Sequence, residues 1–149
     1  MRIAIAADHA GFPLKQLAID TARAAGHETT DLGTSSADEP VDYPDTARAA
    51  AEAIRGGQAD RAIIVCGSGA GVAIAASKFD GIRAAVAHDT YTAHQGVEHD
   101  DVNVLCLGGR VVGPALAEEI MQSFLGAEFS GEDRHLRRLE KMRAIEQEG

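Results

Sequence analysis

The sequence predicts an α/β fold: a single-domain, doubly wound, Rossmann-like five-stranded parallel sheet with helices on both faces. Three observations predict it. Short apolar runs alternate with segments of helical periodicity. Those runs are continuously apolar, as in strands covered on both faces, and lack the in-out alternation of a sheet with one wet face. The 149 residues also suit one domain of about 100–200 residues with a single core.

The first run, Ile3 to Ala7, reads as a parallel strand that stops at Asp8-His9. Pro13 then suits a first helical position, and Leu14, Leu17, Ala18, Ala22 and Ala25 recur at helical steps before Gly26 offers a cap. A modest strand from Glu28 to Leu32 leads into a long polar loop. A helix from Pro44 to Arg55 follows, ended by Gly56-Gly57. Arg61 to Cys66 reads as a central strand and Val72 to Lys78 as the helix entered through a glycine-rich turn. Strands near Ile82–Ala87 and Val104–Leu107 each precede a helical stretch, the later one opened by Pro114, and a charged helix from Arg134 to Glu148 ends the chain. Right-handed crossovers make this an open sheet with ligands at the carboxyl ends of the strands.

Composition narrows the function. Apolar residues make up 45% and charged residues 25%, the balance of an ordinary globular chain. Fourteen Lys and Arg against 23 Asp and Glu give a net charge of −9, which repels nucleic acid and anionic membrane. No stretch approaches a membrane span, and MRIAIAADHAG lacks the apolar core and cleavage site of a signal peptide. A cytoplasmic location is the expectation. Cys66 and Cys106 form no C-x-x-C pair, so neither a disulfide framework nor a zinc knuckle is supported.

The strongest motif is Cys66-Gly67-Ser68-Gly69-Ala70-Gly71, between strand and helix. Its glycines let backbone N–H groups turn inward beside a helix N-terminus, a setting for an anion that is either a phosphate or a reaction oxyanion. The plainer alternative is a tight turn. No Gly-Lys-Ser/Thr follows, so the Walker pattern fails. A phosphatase loop would need Arg where Val72 stands. Gly67-x-Gly69-x-Gly71 with Asp89 is a near miss to the dinucleotide fingerprint, but its third glycine comes one position early and no substrate domain remains. Cys66 beside that helix is placed for a depressed pKa and can act as base or nucleophile, whereas Cys106 reads as a small apolar core residue. His9 adjoins Asp8, and His99 opens His99-Asp100-Asp101-Val102-Asn103. No ligand spacing joins them into a metal site. Arg134 and Arg138, spaced i, i+4, put two guanidinium forks on one helix face, suited to a phosphate or to pairing with neighbouring carboxylates.

Taken together, these residues resemble the type B ribose-5-phosphate isomerases, with the related galactose-6-phosphate isomerase subunits. The likeness spans nearly the whole chain and rests on Asp8-His9-Ala-Gly11, Asp42-Tyr43-Pro44, Cys66 to Gly71 with Ala75 to Lys78, Gly81-Ile-Arg83-Ala84, His99 to Asn103, Gly108-Gly-Arg110 and the Arg134/Arg138 pair. The resemblance implies one sugar-phosphate isomerase domain over residues 1–149, catalysing a metal-free and cofactor-free aldose–ketose exchange through ring opening and a cis-enediolate. It further implies a homodimer or dimer of dimers, with active sites at the subunit interface and a C-terminal helix reaching the partner subunit. In that reading Cys66 is the base moving a proton between C2 and C1, and the N–H groups of Gly67, Gly69, Ala70 and Gly71 help stabilise the enediolate. Ser68 and His99 assist ring opening, and Asp8 relays protons at the hydroxyls. His9, Arg134 and Arg138 hold the phosphate, while Tyr43 and Arg110 line the pocket. Family members without this Cys use a Glu where Val72 stands, so the chain resembles the Cys type. One departure concerns substrate: the family commonly has an amide where Asp100 stands, so a carboxylate that only accepts hydrogen bonds replaces a group that also donates. Asp100 is therefore expected to move preference from ribose 5-phosphate toward a tetrose or hexose phosphate. Two other functions stay open on the residues alone: a non-catalytic sugar-phosphate or nucleotide binding module, and a dinucleotide-binding fragment.

Overall fold

Period-two alternation of large and small apolar residues along the central strands decides how the sheet is covered. The computed structural model describes residues 1–149. Strands β1 (Arg2–Ala7), β2 (Glu28–Asp31), β3 (Arg61–Cys66), β4 (Ala84–Val86) and β5 (Val104–Gly108) form one sheet in the order β2-β1-β3-β5-β4, parallel throughout. Ile3, Ile5, Ile63, Val65, Leu105 and Leu107 point to one face, where α1 (Lys15–Ala24), α4 (Thr90–Asp100) and α5 (Pro114–Leu125) bring Ile19, Val97, Ile120, Met121 and Phe124. The other face presents Ala4, Ala6, Ala62 and Ile64 to α2 (Tyr43–Arg55) and α3 (Ala70–Ala76), whose contribution is mostly alanine. Small residues on both sides let these two helices lie close to the sheet, at the edge of the Cys66 loop.

The last helix, α6 (Asp133–Glu148), buries only His135 and Leu139. Its Leu136, Met142 and Ile145 stay exposed.

Element ends differ from expectation for local reasons. The first helix opens with a 3-10 turn, Phe12–Leu14, and becomes α-helical at Lys15, because Pro13 supplies no N–H. Helix α3 starts at Ala70 and stops at Ala76, two residues earlier at each end than the apolar pattern suggested. The fourth strand is only Ala84–Val86. At its start the Arg83 carbonyl already accepts the Val104 N–H at 3.3 Å, but the Arg83 N–H donates to the Asn103 side chain (Oδ1) and its guanidinium pairs with Asp101 at 2.9 Å, so regular pairing begins at Ala84.

Candidate active site

The glycine-rich turn after β3 is shaped by two of its glycines. Gly69 has φ of +83°, a left-handed conformation that turns its N–H back onto Cys66 Sγ at 3.0 Å. At Gly71 a side chain would begin 2.7 Å from the Tyr43 ring, so the missing side chain is what lets Tyr43, at the start of α2, pack across α3. Ala70 N–H is taken by Ser68 Oγ at 3.2 Å. The N–H groups of Gly67, Ser68, Gly71 and Val72 have no acceptor within the chain. Of the loop donors expected to face a ligand, Gly69 and Ala70 are thus spent on the sulfur and the hydroxyl, and Val72 joins the free set. Because α3 is seven residues long, explicit N–H groups and not a long macrodipole supply the positive end.

Around this turn lies a cavity of about 450 Å³ lined by Asp8, His9, Tyr43, Cys66, Ser68 and Arg110, with Gly67, Gly71, Ala10 and Val111 between them. Asp8 is buried at the end of β1. Its Oδ1 accepts the Gly11 N–H at 2.9 Å, leaving its second oxygen without a partner in the chain. The His9 ring accepts the Val41 N–H on Nδ1 at 3.1 Å, which puts its proton on Nε2 and ties the long loop before α2 to the cavity. Lys15 anchors the start of that loop. Its buried ammonium bonds both oxygens of Asp31 (3.0 and 2.9 Å) and the Thr34 carbonyl (2.6 Å). Arg110 has no carboxylate partner, and its guanidinium lies over Gly67. The thiols differ: burial, aided by nearby Cys66, pushes the Cys106 thiol well above its ordinary range, and no donor faces its sulfur.

Four predicted site residues lie elsewhere in the same chain. His99, in the last turn of α4, stacks on His135 of α6 with ring centroids 4.2 Å apart. Arg134 pairs with Glu132 at 3.1 Å, and Arg138 is exposed without an ion pair. Asp100 borders a different cavity, with Arg83, Met142 and Glu146. Sequence reading missed His135, which is fully buried, shares a hydrogen bond of 2.5 Å with Ser130 and leaves Nε2 unpartnered. Burial first, then the charges of His99 and Arg134, lowers its pKa. The available signal was its i, i+4 spacing to Leu139, which marks the buried face of α6.

Comparison with known proteins identifies the family. The profile of the ribose/galactose isomerase family matches residues 3–142. Ribose-5-phosphate isomerase B of Escherichia coli (strain K12) is 45% identical over 146 residues, covering 98% of this chain and 97% of that protein. D-erythrulose-4-phosphate isomerase 2 of Mycolicibacterium smegmatis is 43% identical over 131 residues, 87% of this chain and 86% of its own length. The solved structure of Clostridium thermocellum ribose-5-phosphate isomerase B superposes with a TM-score of 0.95 at 45% identity, covering 99% of both chains.

Proposed function

Because this chain belongs to the ribose/galactose isomerase family and is an aldose–ketose sugar-phosphate isomerase, we propose that the Cys66 cavity is its active site and that the substrate pair is ribose 5-phosphate and ribulose 5-phosphate. The observation that carries this reading is Cys66 Sγ receiving the Gly69 N–H, flanked by the free N–H groups of Gly67, Ser68 and Gly71. Membership of an isomerase family decides against the binding module and the dinucleotide fragment.

In this reading the Gly69 N–H holds the Cys66 sulfur in place, and that sulfur, acting as base, removes the C2 proton of the open-chain aldose. Negative charge then develops on the C1 and C2 oxygens, and the free N–H groups are placed to stabilise that enediolate. The proton now on Cys66 returns to C1, the C1 oxygen gains a proton, and the C2 hydroxyl loses one to become the ketose carbonyl. Asp8 handles these hydroxyl protons with the oxygen that Gly11 leaves free. Tyr43 and Arg110 close the sides of the cavity.

His99, Arg134 and Arg138 enter this cavity from a second copy of the chain, His99 with Ser68 for ring opening and the arginines with His9 for the phosphate. Their place on α4 and α6, apart from the cavity of their own chain, supports that assignment, as does the apolar surface left open on α6. Turnover requires no metal or cofactor in this scheme, and an enzyme of phosphorylated metabolites fits a cytoplasmic location. The relative named D-erythrulose-4-phosphate isomerase 2, from Mycolicibacterium smegmatis, supports a second reading, an erythrulose 4-phosphate substrate, with Asp100, next to His99 at the end of α4 and brought in with it by the second copy, as the deciding residue.

The test is incubation of chelator-treated enzyme with aldose phosphates of four to six carbons in D₂O, following ketose formation and loss of the C2 proton by NMR. Exchange at C2 with ribulose 5-phosphate formation is the expected result. Turnover of a four-carbon sugar alone would replace the substrate assignment, and no exchange with any sugar would overturn the site.

A further inference from the structure

The peptide that ends β5 is held from the side opposite the active cavity. Ala87 N–H donates to Cys106 O at 3.2 Å, the last backbone bond joining the β4 edge to β5. One peptide further along β5, the acceptor changes from backbone to side chain: Gly108 N–H donates to His88 Nε2 at 2.9 Å. A ring nitrogen that accepts a hydrogen bond carries no proton, so this bond assigns His88 as the neutral tautomer with its proton on Nδ1. The chain cannot place a backbone acceptor there, because it turns after His88 into the N-cap of α4, where Asp89 Oδ1 takes the Thr92 N–H at 2.6 Å.

What Gly108 begins, the cavity finishes. Gly108 is in register with Cys66, and its own carbonyl accepts the N–H groups of Val111 (2.9 Å) and Val112 (3.1 Å). Within that turn Gly109 N–H bonds Cys66 O at 2.7 Å and Arg110 N–H bonds Gly67 O at 3.1 Å. The turn therefore fixes both the carbonyls behind the Cys66 loop and the direction in which Arg110 leaves the backbone. Its N–H end has one acceptor, His88.

We propose that His88 is a positioning residue for the isomerisation: its neutral Nε2 holds the Gly108 peptide and, through the 108–110 turn, aims Arg110 into the substrate cavity. This rests on the reading above that Arg110 contacts the substrate. His88 reaches no substrate itself, lying across β5 from Cys66.

The test compares His88→Phe, which keeps a ring but has no acceptor, with His88→Gln, whose Oε1 stands near the position of Nε2. Both are assayed alone and with Arg110→Met, on ribose 5-phosphate or, if the panel above selects it, erythrulose 4-phosphate. His88→Phe is expected to raise KM about tenfold with kcat changed less than about threefold, and His88→Gln to bring KM back to within about twofold. In the Arg110→Met background the Phe substitution is expected to add nothing, since both act through one group. Wild-type kinetics for His88→Phe, failure of Gln to rescue, or an undiminished Phe effect beside Arg110→Met would overturn the proposal. A wild-type KM for Arg110→Met would instead remove the underlying role of Arg110, and the proposal with it. Circular dichroism checks folding, and His88→Leu replaces Phe if that variant does not fold.

Discussion

Cys66 and Cys106 lie on adjacent strands, yet only Cys66 has a donor aimed at its sulfur and an opening to a cavity. Burial keeps Cys106 a neutral thiol. Cys66→Ala is expected to lower kcat by about 10²–10⁴-fold, the usual worth of a positioned general base, while the protein still folds and binds sugar phosphate. Cys106→Ala should leave kcat unchanged, and steady-state kinetics with a binding titration checks both. Asp31 gives a pH prediction at the same scale. Burial pushes its carboxyl up, but the hydrogen bond and charge of Lys15 and the Gly33 N–H outweigh that and hold it below the usual range. A group with a depressed folded pKa stabilises the fold above its unfolded value, about 3.9, and loses that contribution as pH falls through the folded value. Lys15→Met should therefore lower the urea midpoint at pH 7, and the gap to wild type should narrow toward pH 3. An equal gap at both pH values would show that Lys15 acts by packing alone.

Among the elements, the β3 turn and α3 form the unit on which catalysis depends. Gly69→Ala places a side chain at φ of +83° and 3.1 Å from the Leu107 backbone. The left-handed conformation alone costs about 1–2 kcal/mol, and relief of that strain swings the 69 N–H off Cys66. Both stability and kcat should fall, measured by chemical denaturation and kinetics on one preparation. A stability loss with wild-type kcat would mean that the Gly69 N–H does not tune the thiol. Helix α6 is the opposite case, an element whose own chain uses little of it. Leu136, Met142 and Ile145 are 40%, 40% and 67% exposed, apolar surface left over on a helix that packs on α4 and whose Glu146 accepts the Gly81 N–H.

At the scale of the whole molecule, the predicted catalytic residues fall into two groups that one chain does not unite. If His99 completes the site of a neighbouring copy, Cys66→Ala and His99→Asn are each inactive alone, but their mixture regains activity. In a two-fold dimer half of the randomly paired molecules are mixed and each has one intact site, so recovery should reach about a quarter of wild type. No recovery after subunit exchange, verified by mass spectrometry, would place both residues in one chain's site.

Much of this was legible from the residues. The continuous apolar runs fixed β1, β3 and β5 to within a residue or two, because a strand covered on both faces tolerates no polar interruption. The glycines between β3 and α3 located the turn, since few side chains survive that backbone. The resemblance to sugar-phosphate isomerases pointed to the family to which the chain belongs. Tertiary structure alone decided which donors are free: that the N–H groups of Gly69 and Ala70 bond within the loop while those of Gly67, Ser68 and Gly71 have no acceptor in the chain depends on dihedral angles that glycine leaves open. It also decided that Asp100 borders a cavity apart from Cys66, that the half-buried His88 accepts the Gly108 N–H, and that His135 is buried against His99. Periodicity reports which face of an element is apolar, but not what stands opposite it. Strand order and helix packing settle that by bringing residues 20 to 40 positions apart within hydrogen-bond reach.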